Sequence, residues 1–337
     1  MFSNDWMLNA SKRRLSPLSL VMAFLLIVAA LGVATSSGIR GLSDNNQVQA
    51  QQQEQTKIQK LWESRDDLRN PESVRYAPKQ DILFVSNIDG KPDEKDQKGF
   101  ISKVSPSNGS ITELNWITGL NAPKGMIIVN NSKLYVSDIT DLVEIDIASG
   151  KIIKRFNAPG SAFLNDVALD NQKNIYVSDT GTNTIYKMDT KLKDKASLQV
   201  WLQSAELNGP NGLHVDNNKN KLIVVSVGSD MNKPGAGMKV IDLENKTIRS
   251  LGKEGTTTPV GGLDGIESDT TGTHYYVTDN PAGKVYTVNA DGTGYATLID
   301  LQSQGTADFE FIPTQSMIII PFMQDNKVAA YKLVNRS

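Results

Sequence analysis

Four polar residues recur along the chain at intervals that could bring oxygen ligands into one site. Each stands at the start of a short apolar stretch: Glu72, Asn165, Asn211 and Asp264. Two carboxylates and two amide carbonyls are hard oxygen ligands, and water can complete a coordination number of about 6 to 8. This donor set suits calcium and suits zinc far less well. The residue types therefore predict a calcium site, and the alternative is that they make only local turn and backbone hydrogen bonds.

The strands that would position these residues come from a sequence repeat that occurs six times from residue 71 onward. Each copy has two short apolar strands joined by a turn, and most second strands end in Ser-Asp or a similar pair, as in residues 164–179. The residues that start successive copies are separated by 52, 41, 46, 53 and 43 positions. A period of about 40 to 50 residues is typical of β-propeller blades. The six starting positions are Glu72, Lys124, Asn165, Asn211, Asp264 and Ala307.

The second half of each copy supports the same architecture. Residues 142–156 read as two strands joined at Ser149-Gly150, with apolar residues alternating on either side of the turn. Long amphipathic helices are absent from this part of the sequence, which argues against parallel α/β folds. We predict an all-β fold, a six-bladed β-propeller with four-stranded antiparallel blades. The last copy lacks a fourth strand, so we expect residues 57–63 to close the ring and remove an exposed edge.

In a propeller the first strand of each blade lines the central channel, so the six starting residues should form a ring at one mouth. The second strand runs back antiparallel and returns its last residues to the same mouth, further from the axis. Because the same residue recurs at this position in several blades, it is more typical of a structural role than of catalysis. We therefore expect the aspartates that end these strands to accept hydrogen bonds that hold the blades. They are Asp138, Asp179 and Asp279.

The ring residues also carry a resemblance to a known family. The strings PES, LNDVALD, PNGL and LDGI, in that order and at blade spacing, resemble the senescence-marker-protein/gluconolactonase (regucalcin-like) family over about residues 57–335. More distantly they resemble diisopropylfluorophosphatase and paraoxonase. The resemblance implies a catalytic divalent metal, usually calcium, held by Glu72, Asn165, Asn211 and Asp264. It also places at Asp264 the carboxylate that acts as base or nucleophile.

Two positions depart from the family pattern. Ala307 and Asp308 stand where paraoxonase-like and phosphatase-like members present a histidine, so the substrates of those relatives cannot be transferred. Lys124 places an ammonium group in the ring, and three roles are open for it: stabilising an oxyanion, binding a substrate carboxylate, or replacing the metal by pairing with Glu72 and Asp264. We predict Asp264 and Lys124 as the catalytic residues.

Composition excludes several other classes of function. The 337 residues contain no cysteine, which removes disulfides, thiolate nucleophiles and cysteine-ligated metals. The two histidines, His214 and His274, cannot build a three-histidine metal site, and we expect both to be packed or exposed. A net charge of -2 provides no cationic surplus for nucleic acid. Sequence motifs of acyl-enzyme, nucleotide-binding and zincin chemistry are also absent.

The N-terminal segment predicts export. Three basic residues at 12–14 precede an uncharged stretch at 15–39, whose strongly apolar core spans 18–34. We interpret residues 1–34 as a signal peptide or an N-terminal membrane anchor, with cleavage permitted after Ala34. Residues 35–56 are polar and Gln-rich and predict a flexible linker to a propeller at 57–337. Basic flanks stay in the cytoplasm, so the propeller is expected in the periplasm or secreted, tethered to the membrane only if residues 15–39 are retained.

These observations favour an exported, calcium-dependent hydrolase that opens a lactone or a related ester at the channel mouth. Its partner would be a small-molecule substrate. The ammonium group of Lys124 favours a substrate that is anionic. The alternative is a non-catalytic propeller, similar to NHL-type modules, that binds a ligand or a protein at the cell envelope.

Overall fold

The computed structural model describes residues 57–228, 237–252, 258–302 and 305–334. The predicted signal peptide or anchor at 1–34 and the predicted linker at 35–56 lie outside the described residues. Within the described part, no helix has the length and apolar character needed to cross a bilayer.

In the described ranges, twenty-four strands form six four-stranded antiparallel sheets arranged as a six-bladed propeller, which confirms the predicted fold. The strands are numbered along the chain, beginning with β1 (Lys57–Glu63). Blade 1 contains β2 (Pro71–Ala77), β3 (Ile82–Asn87), β4 (Gly99–Val104) and β5 (Ile111–Leu120). Blade 2 contains β6 (Pro123–Val129), β7 (Lys133–Asp138), β8 (Asp141–Asp146) and β9 (Lys151–Asn157). Blade 3 contains β10 (Leu164–Leu169), β11 (Asn174–Asp179), β12 (Thr184–Asp189) and β13 (Gln199–Gln203).

The remaining blades repeat the arrangement. Blade 4 contains β14 (Pro210–Asp216), β15 (Lys221–Ser226), β16 (Met238–Asp242) and β17 (Ile248–Ser250). Blade 5 contains β18 (Leu263–Ser268), β19 (His274–Asp279), β20 (Lys284–Asn289) and β21 (Tyr295–Asp300). Blade 6 contains β22 (Glu310–Ile312), β23 (Met317–Phe322), β24 (Lys327–Val334) and β1. Short 3₁₀-helices lie at Thr190–Lys195, Ala205–Leu207 and Pro313–Gln315.

The hydrophobic core lies between neighbouring blades, and this location explains the sequence pattern. A second strand has a blade packed on each of its faces, so every residue of β11 and of β23 is buried. The outermost strand β9 instead alternates between exposed residues and residues that are partly or fully buried, because only one of its faces meets another blade. Residues of blades 2 and 3 meet in one cluster that includes Leu142, Phe156, Val167, Val177 and Tyr186.

The predicted closure of the ring by the N-terminal strand is confirmed. Strand β1 pairs antiparallel with β24, from Lys57 opposite Val334 to Glu63 opposite Ala329. The indole N–H of Trp62 then donates a hydrogen bond of 2.9 Å to the carbonyl of Pro106 in blade 1. The strand therefore completes blade 6 and joins it to blade 1.

Removal of this strand should be far more costly than removal of the segment before it. We expect a variant lacking residues 1–50 to remain folded. A variant lacking residues 1–65 loses the β1 ladder and the buried part of Trp62, and should melt at least about 10 °C lower. Thermal unfolding of both variants followed by circular dichroism tests this, and equal melting temperatures would contradict the closure.

Strand direction defines two faces of the ring. Each first strand begins at the channel mouth that carries the ring residues, and second strands return there, so the fold places both sets on the mouth face as predicted. Third strands run away from the mouth and fourth strands return. The opposite surface, called the far face below, therefore carries the turns between first and second strands and between third and fourth strands. Since β1 is a fourth strand, the described chain begins on the far face at Lys57.

Candidate active site at the channel mouth

The first strands of blades 1 to 5 share an irregularity where the ring residue sits. In β14 the residue pairs with β15 jump from Pro210 opposite Ser226 to Leu213 opposite Val224. The same kind of jump occurs in β2, β6, β10 and β18. A bulge of this kind turns side chains out of the regular alternation. The ring residue, and in blades 2 to 5 also the residue after it, is therefore left out of the pairing with the second strand.

Glycine follows the ring residue in three blades, and the neighbouring first strand leaves no room for a side chain there. A Cβ atom on Gly212 would lie 2.2 Å from the carbonyl oxygen of Asp264. A Cβ atom on Gly125 would lie 2.5 Å from Oδ1 of Asp166, and one on Gly265 would lie 2.8 Å from Oδ1 of Asp308. These glycines allow the first strands to approach closely, so the ring is narrow.

Hydroxyl groups at the ends of second strands fix the backbone of the ring. The Ser178 hydroxyl in blade 3 donates to the carbonyl of Asn211 in blade 4 at 2.7 Å. The Thr278 hydroxyl makes the equivalent bond to Ala307 at 3.0 Å, and Ser137 donates to Asn165 in the same way. The Ser or Thr of each repeated Ser-Asp or Thr-Asp pair therefore holds the ring residue of the next blade.

The aspartates of these pairs have the structural contacts expected of them. Asp138 accepts backbone hydrogen bonds from the loop that enters blade 2, including one of 2.9 Å from Ala122. Asp179 accepts equivalent bonds from the loop that enters blade 3. Asp279 accepts a bond of 3.2 Å from the Tyr286 hydroxyl. These contacts fit the structural role that the sequence predicted.

The two ring carboxylates are buried and incompletely satisfied. Glu72 and Asp264 are 4% and 6% exposed. Oδ2 of Asp264 accepts a hydrogen bond of 2.9 Å from the Asn280 amide, whereas Oδ1 of Asp264 and Oε2 of Glu72 are buried without a hydrogen-bond partner. Burial raises the pKa of Asp264 to about 7. Burial, and then the charge of Asp264, raise the pKa of Glu72 well above its usual range. A cation between them would relieve both effects.

The two ring amides are also buried, and both lie beside polar groups. The NH₂ group of Asn165 donates to the Thr180 hydroxyl at 3.3 Å. Asn211 lies beside Asp264, and its amide lowers the pKa of that carboxyl. Because the amide NH₂ of Asn165 is used, its carbonyl oxygen is the group available to a ligand.

Lys124 is buried at the mouth, with its ammonium group directed to backbone oxygens. It is 2% exposed and donates to the carbonyls of Pro92 at 2.9 Å and Ala122 at 3.0 Å. Its Nζ also lies 4.3 Å from the centre of the Phe163 ring. Burial lowers the pKa of Lys124 to about 8, and the charge of Glu72 opposes that shift. The third ammonium hydrogen remains available to another acceptor.

Of the three roles considered for Lys124, direct replacement of the metal does not match this geometry. Among the described residues, neither Glu72 nor Asp264 lies within the 4.0 Å ion-pair distance of Lys124. The other two roles remain compatible with an ammonium group that is anchored by carbonyls beside the ring.

Two further carboxylates lie directly after ring positions. Asp166 accepts a hydrogen bond of 2.6 Å from the backbone N–H of Leu213, and Asp308 accepts one of 2.6 Å from the Ser73 hydroxyl. Burial raises the pKa of Asp308 to about 6 and that of Asp166 well above its usual range. Both raise the pKa of Glu72, so the channel below the mouth adds to the negative potential.

Arg75 forms a largely buried ionic network deeper in the channel, which was not predicted from the sequence. Its guanidinium donates to the carbonyl of Met126 at 2.9 Å and to Glu267 at 2.7 Å, and it lies 3.5 Å from Glu310 and 3.6 Å from Asp308. These contacts join blade 1 to blades 2, 5 and 6 across the axis.

A sequence signal for this network exists. Arg75, His214, Glu267 and Glu310 each stand three positions after a ring residue. His214 belongs to this inner layer, 3.9 Å from Glu267, whereas His274 pairs with Asp269 on the far face. Both histidines are therefore away from the mouth: His214 is partly buried in the channel and His274 is exposed.

The donor set at the mouth fits a hard cation. Within the described residues, no three His, Cys, Asp or Glu side chains form a group suited to a metal. The mouth instead combines two carboxylates with two amides, which is the mixture that calcium accepts. The two carboxylate oxygens without hydrogen-bond partners are the atoms that such an ion would contact.

Comparison with known proteins supports the fold. No protein-family model matches the chain, and no curated protein matches it. A gluconolactonase from Xanthomonas campestris has a TM-score of 0.60 at 14% sequence identity, over 82% of this chain and 90% of that chain. A catalytically inactive virginiamycin B lyase from Staphylococcus aureus, solved with quinupristin, has a TM-score of 0.56 at 16% identity, over 83% and 100%. At these identities the likeness shows the six-bladed propeller, and membership of the senescence-marker-protein/gluconolactonase family stays a prediction.

Proposed function

We propose that the protein is a metal-dependent hydrolase that opens a lactone or a related ester at the channel mouth. The observation that carries the proposal is the pair of buried carboxylate oxygens without hydrogen-bond partners, on Glu72 and Asp264. The likeness in fold to a gluconolactonase is consistent with this class of reaction.

A divalent cation, for which calcium is the best candidate, would be held by Glu72, Asn165, Asn211 and Asp264. When bound it would act as a Lewis acid that polarises the substrate carbonyl. The excess of carboxylates in the channel over the cations Lys124 and Arg75 favours an ion of charge +2.

The residues of the chain would perform the proton transfers. Asp264 accepts a proton from the attacking water as a bond forms between that oxygen and the carbonyl carbon. The ring C–O bond then breaks, and the same proton passes to the leaving alkoxide, which yields a hydroxy acid. Lys124 stabilises the negative charge that develops, or a carboxylate of the substrate, through its remaining ammonium hydrogen. Asn280 orients Asp264 through its amide.

The direct test uses the full chain purified without chelator. We expect about one equivalent of calcium by elemental analysis and hydrolysis of at least one member of a lactone panel, lost with EDTA and restored by calcium. Protein that lacks metal, is inactive on the whole panel and keeps its melting temperature when calcium is added would contradict the proposal.

Stability without metal should fall as pH rises from about 5 to 8. The pKa values of Asp308, Asp264 and Glu310 are raised by burial to about 6, 7 and 8. In this window the folded state binds more protons than the unfolded state, so the free energy of unfolding decreases with pH. Calcium should therefore raise the melting temperature more at pH 8 than at pH 5.5. Calorimetric melting with EDTA and with calcium measures this, and an equal calcium effect at both pH values would contradict it.

Replacement of Lys124 separates its charge from its packing. Lys124→Met removes a cation near the metal site, so calcium should bind about tenfold more tightly, while kcat falls or KM rises for an anionic substrate. Lys124→Arg is the control that keeps the charge. Titration calorimetry and kinetics of both variants provide the measurement. Unaltered affinity, kinetics and melting temperature in Lys124→Met would show that the ammonium group does not act at the mouth.

The second candidate is a binding module without catalysis. At 14% identity the likeness to a gluconolactonase shows only the fold, and a fold does not determine function. The metal and lactone experiment above distinguishes the two functions.

A further inference from the structure

The far face of blades 2 and 3 carries a group of lysines without acidic partners. Among the described residues, no carboxylate lies within 4.0 Å of their ammonium groups. Four aspartates lie near them along the chain or across a ladder: Asp146, Asp170, Asp189 and Asp194. Asp146 is paired with Lys133, and Asp170 is bonded to Asn174, so the six lysines remain in excess. These residues, called the lysine patch below, are Lys151, Lys154, Lys173, Lys191, Lys193 and Lys195.

Strand direction places the lysine patch on this face. Strand β12 runs from the mouth to the far face, and the 3₁₀-helix Thr190–Lys195 follows it there. Lys151 begins the fourth strand β9 on the same side. The Nζ of Lys154 donates to the backbone carbonyl of Asp194 at 3.1 Å, which joins blade 2 to the helix of blade 3. The patch is therefore held together by a contact between blades.

An apolar side chain stands among the cations. Leu192 is 53% exposed and is flanked by Lys191 and Lys193, which are also exposed. The whole chain has a net charge of -2, so a local excess of cations is not a consequence of overall composition. Lysines around one exposed leucine are suited to an anionic surface with an apolar layer beneath its charges.

The position where the described chain begins indicates which anionic surface the lysine patch faces. Lys57 begins β1 on the far face, and 56 residues precede it, including the apolar stretch predicted at 18–34. If that stretch is retained as an anchor, its chain joins the propeller on the face that bears the lysine patch. The channel mouth then opens on the opposite side.

We propose that the far face docks on an anionic phospholipid bilayer through the lysine patch, with Leu192 entering the headgroup region. Docking in this orientation directs the channel mouth away from the membrane, where a soluble substrate reaches it. The proposal concerns a different face from the mouth and does not depend on catalysis there.

The absence of cysteine from the chain allows a direct test. Leu192→Cys in the full chain, labelled with an environment-sensitive fluorophore, reports on the patch. Gln203→Cys, exposed on the same blade at its mouth end, is the matched control. Both are reconstituted with vesicles of phosphatidylcholine, or of equal phosphatidylcholine and phosphatidylglycerol, that contain a nitroxide-labelled lipid as quencher.

We expect quenching at position 192 only in the phosphatidylglycerol vesicles, with little at position 203. Salt at 1 M should reverse it, because the screening length falls to about 3 Å. Each lysine contributes about fivefold to binding an anionic surface, so replacing Lys191, Lys193 and Lys195 by Gln should weaken docking at least about tenfold.

Three results would overturn the proposal. They are equal quenching at positions 192 and 203, quenching at 192 that does not depend on phosphatidylglycerol, or docking unaffected by the three Gln replacements. Binding of heparin without docking on the vesicles would also overturn it, and would indicate a soluble polyanion as the partner. Melting temperatures of all variants establish that the propeller remains folded.

Discussion

Asp264→Asn is expected to lower kcat at least about 10³-fold and to leave the propeller folded. An amide cannot accept the proton of the attacking water, and general base catalysis contributes about 10² to 10⁴ in rate. Asparagine keeps the size of the side chain, and its carbonyl oxygen can still accept the hydrogen bond from Asn280. The variant therefore removes the base with little change of shape.

The stability of this variant separates loss of chemistry from loss of structure. In the protein without metal, Asp264 is buried beside Glu72, and burial raises its pKa to about 7. Removal of that ionisable group should leave the melting temperature in EDTA at pH 8 unchanged or higher. Kinetics at saturating calcium, together with calorimetric melting, make the measurement. Activity within about tenfold of the wild type would remove Asp264 from the role of base.

Matched variants test the other ligands while the carboxylate of Asp264 stays in place. Asn165→Ala and Asn211→Ala each remove a neutral oxygen, and Glu72→Gln removes a charge, so calcium affinity should fall in all three and most in Glu72→Gln. None of them should unfold the blades, because the strand ladders remain. Wild-type affinity in both Asn variants by titration calorimetry would place these residues outside the coordination sphere.

Much of the fold could be predicted because blade architecture is periodic. The spacing from Glu72 to Ala307 follows the period of a four-stranded unit, and the missing last strand requires the segment at 57–63. The same period places Glu72 and Asp264, which are 192 positions apart, on one ring. In the structure the charge of Asp264 raises the pKa of Glu72, as expected of two carboxylates on one ring.

The directions of side chains could not be predicted in the same way. A strict two-residue alternation would place Arg75 off the channel face set by Glu72, but the bulge at the start of β2 changes the register by one residue. The contact of Arg75 with Glu267 also depends on which blades face each other across the axis. The carbonyl oxygen of Pro92 that accepts a hydrogen bond from Lys124 belongs to a loop outside the sequence repeat. The repeat therefore could not indicate this contact.

Gly212→Ala tests whether the narrow ring depends on the close approach of the first strands. The added Cβ atom would lie 2.2 Å from the carbonyl oxygen of Asp264 and 2.8 Å from Cγ2 of Val225. The first of these contacts is with backbone, so a strand must move. We expect a loss of about 3 kcal/mol or more in the free energy of unfolding, or roughly 6 to 12 °C in melting temperature.

The same displacement should disturb the chemistry, because the atom that is pushed belongs to the proposed base. A shift of about 1 Å at Asp264 is enough to lower kcat about 10²-fold. Gly294→Ala is the control, since the nearest heavy atom to its added Cβ is Nδ2 of Asn289 at 3.8 Å. The control should change the melting temperature by less than about 2 °C, because its only systematic effect is on the unfolded chain. The prediction is wrong if Gly212→Ala has the same melting temperature as the control and the kcat of the wild type. Blades 4 and 5 could then separate enough to accept the added methyl group, and strand packing would not fix the positions of Asn211 and Asp264.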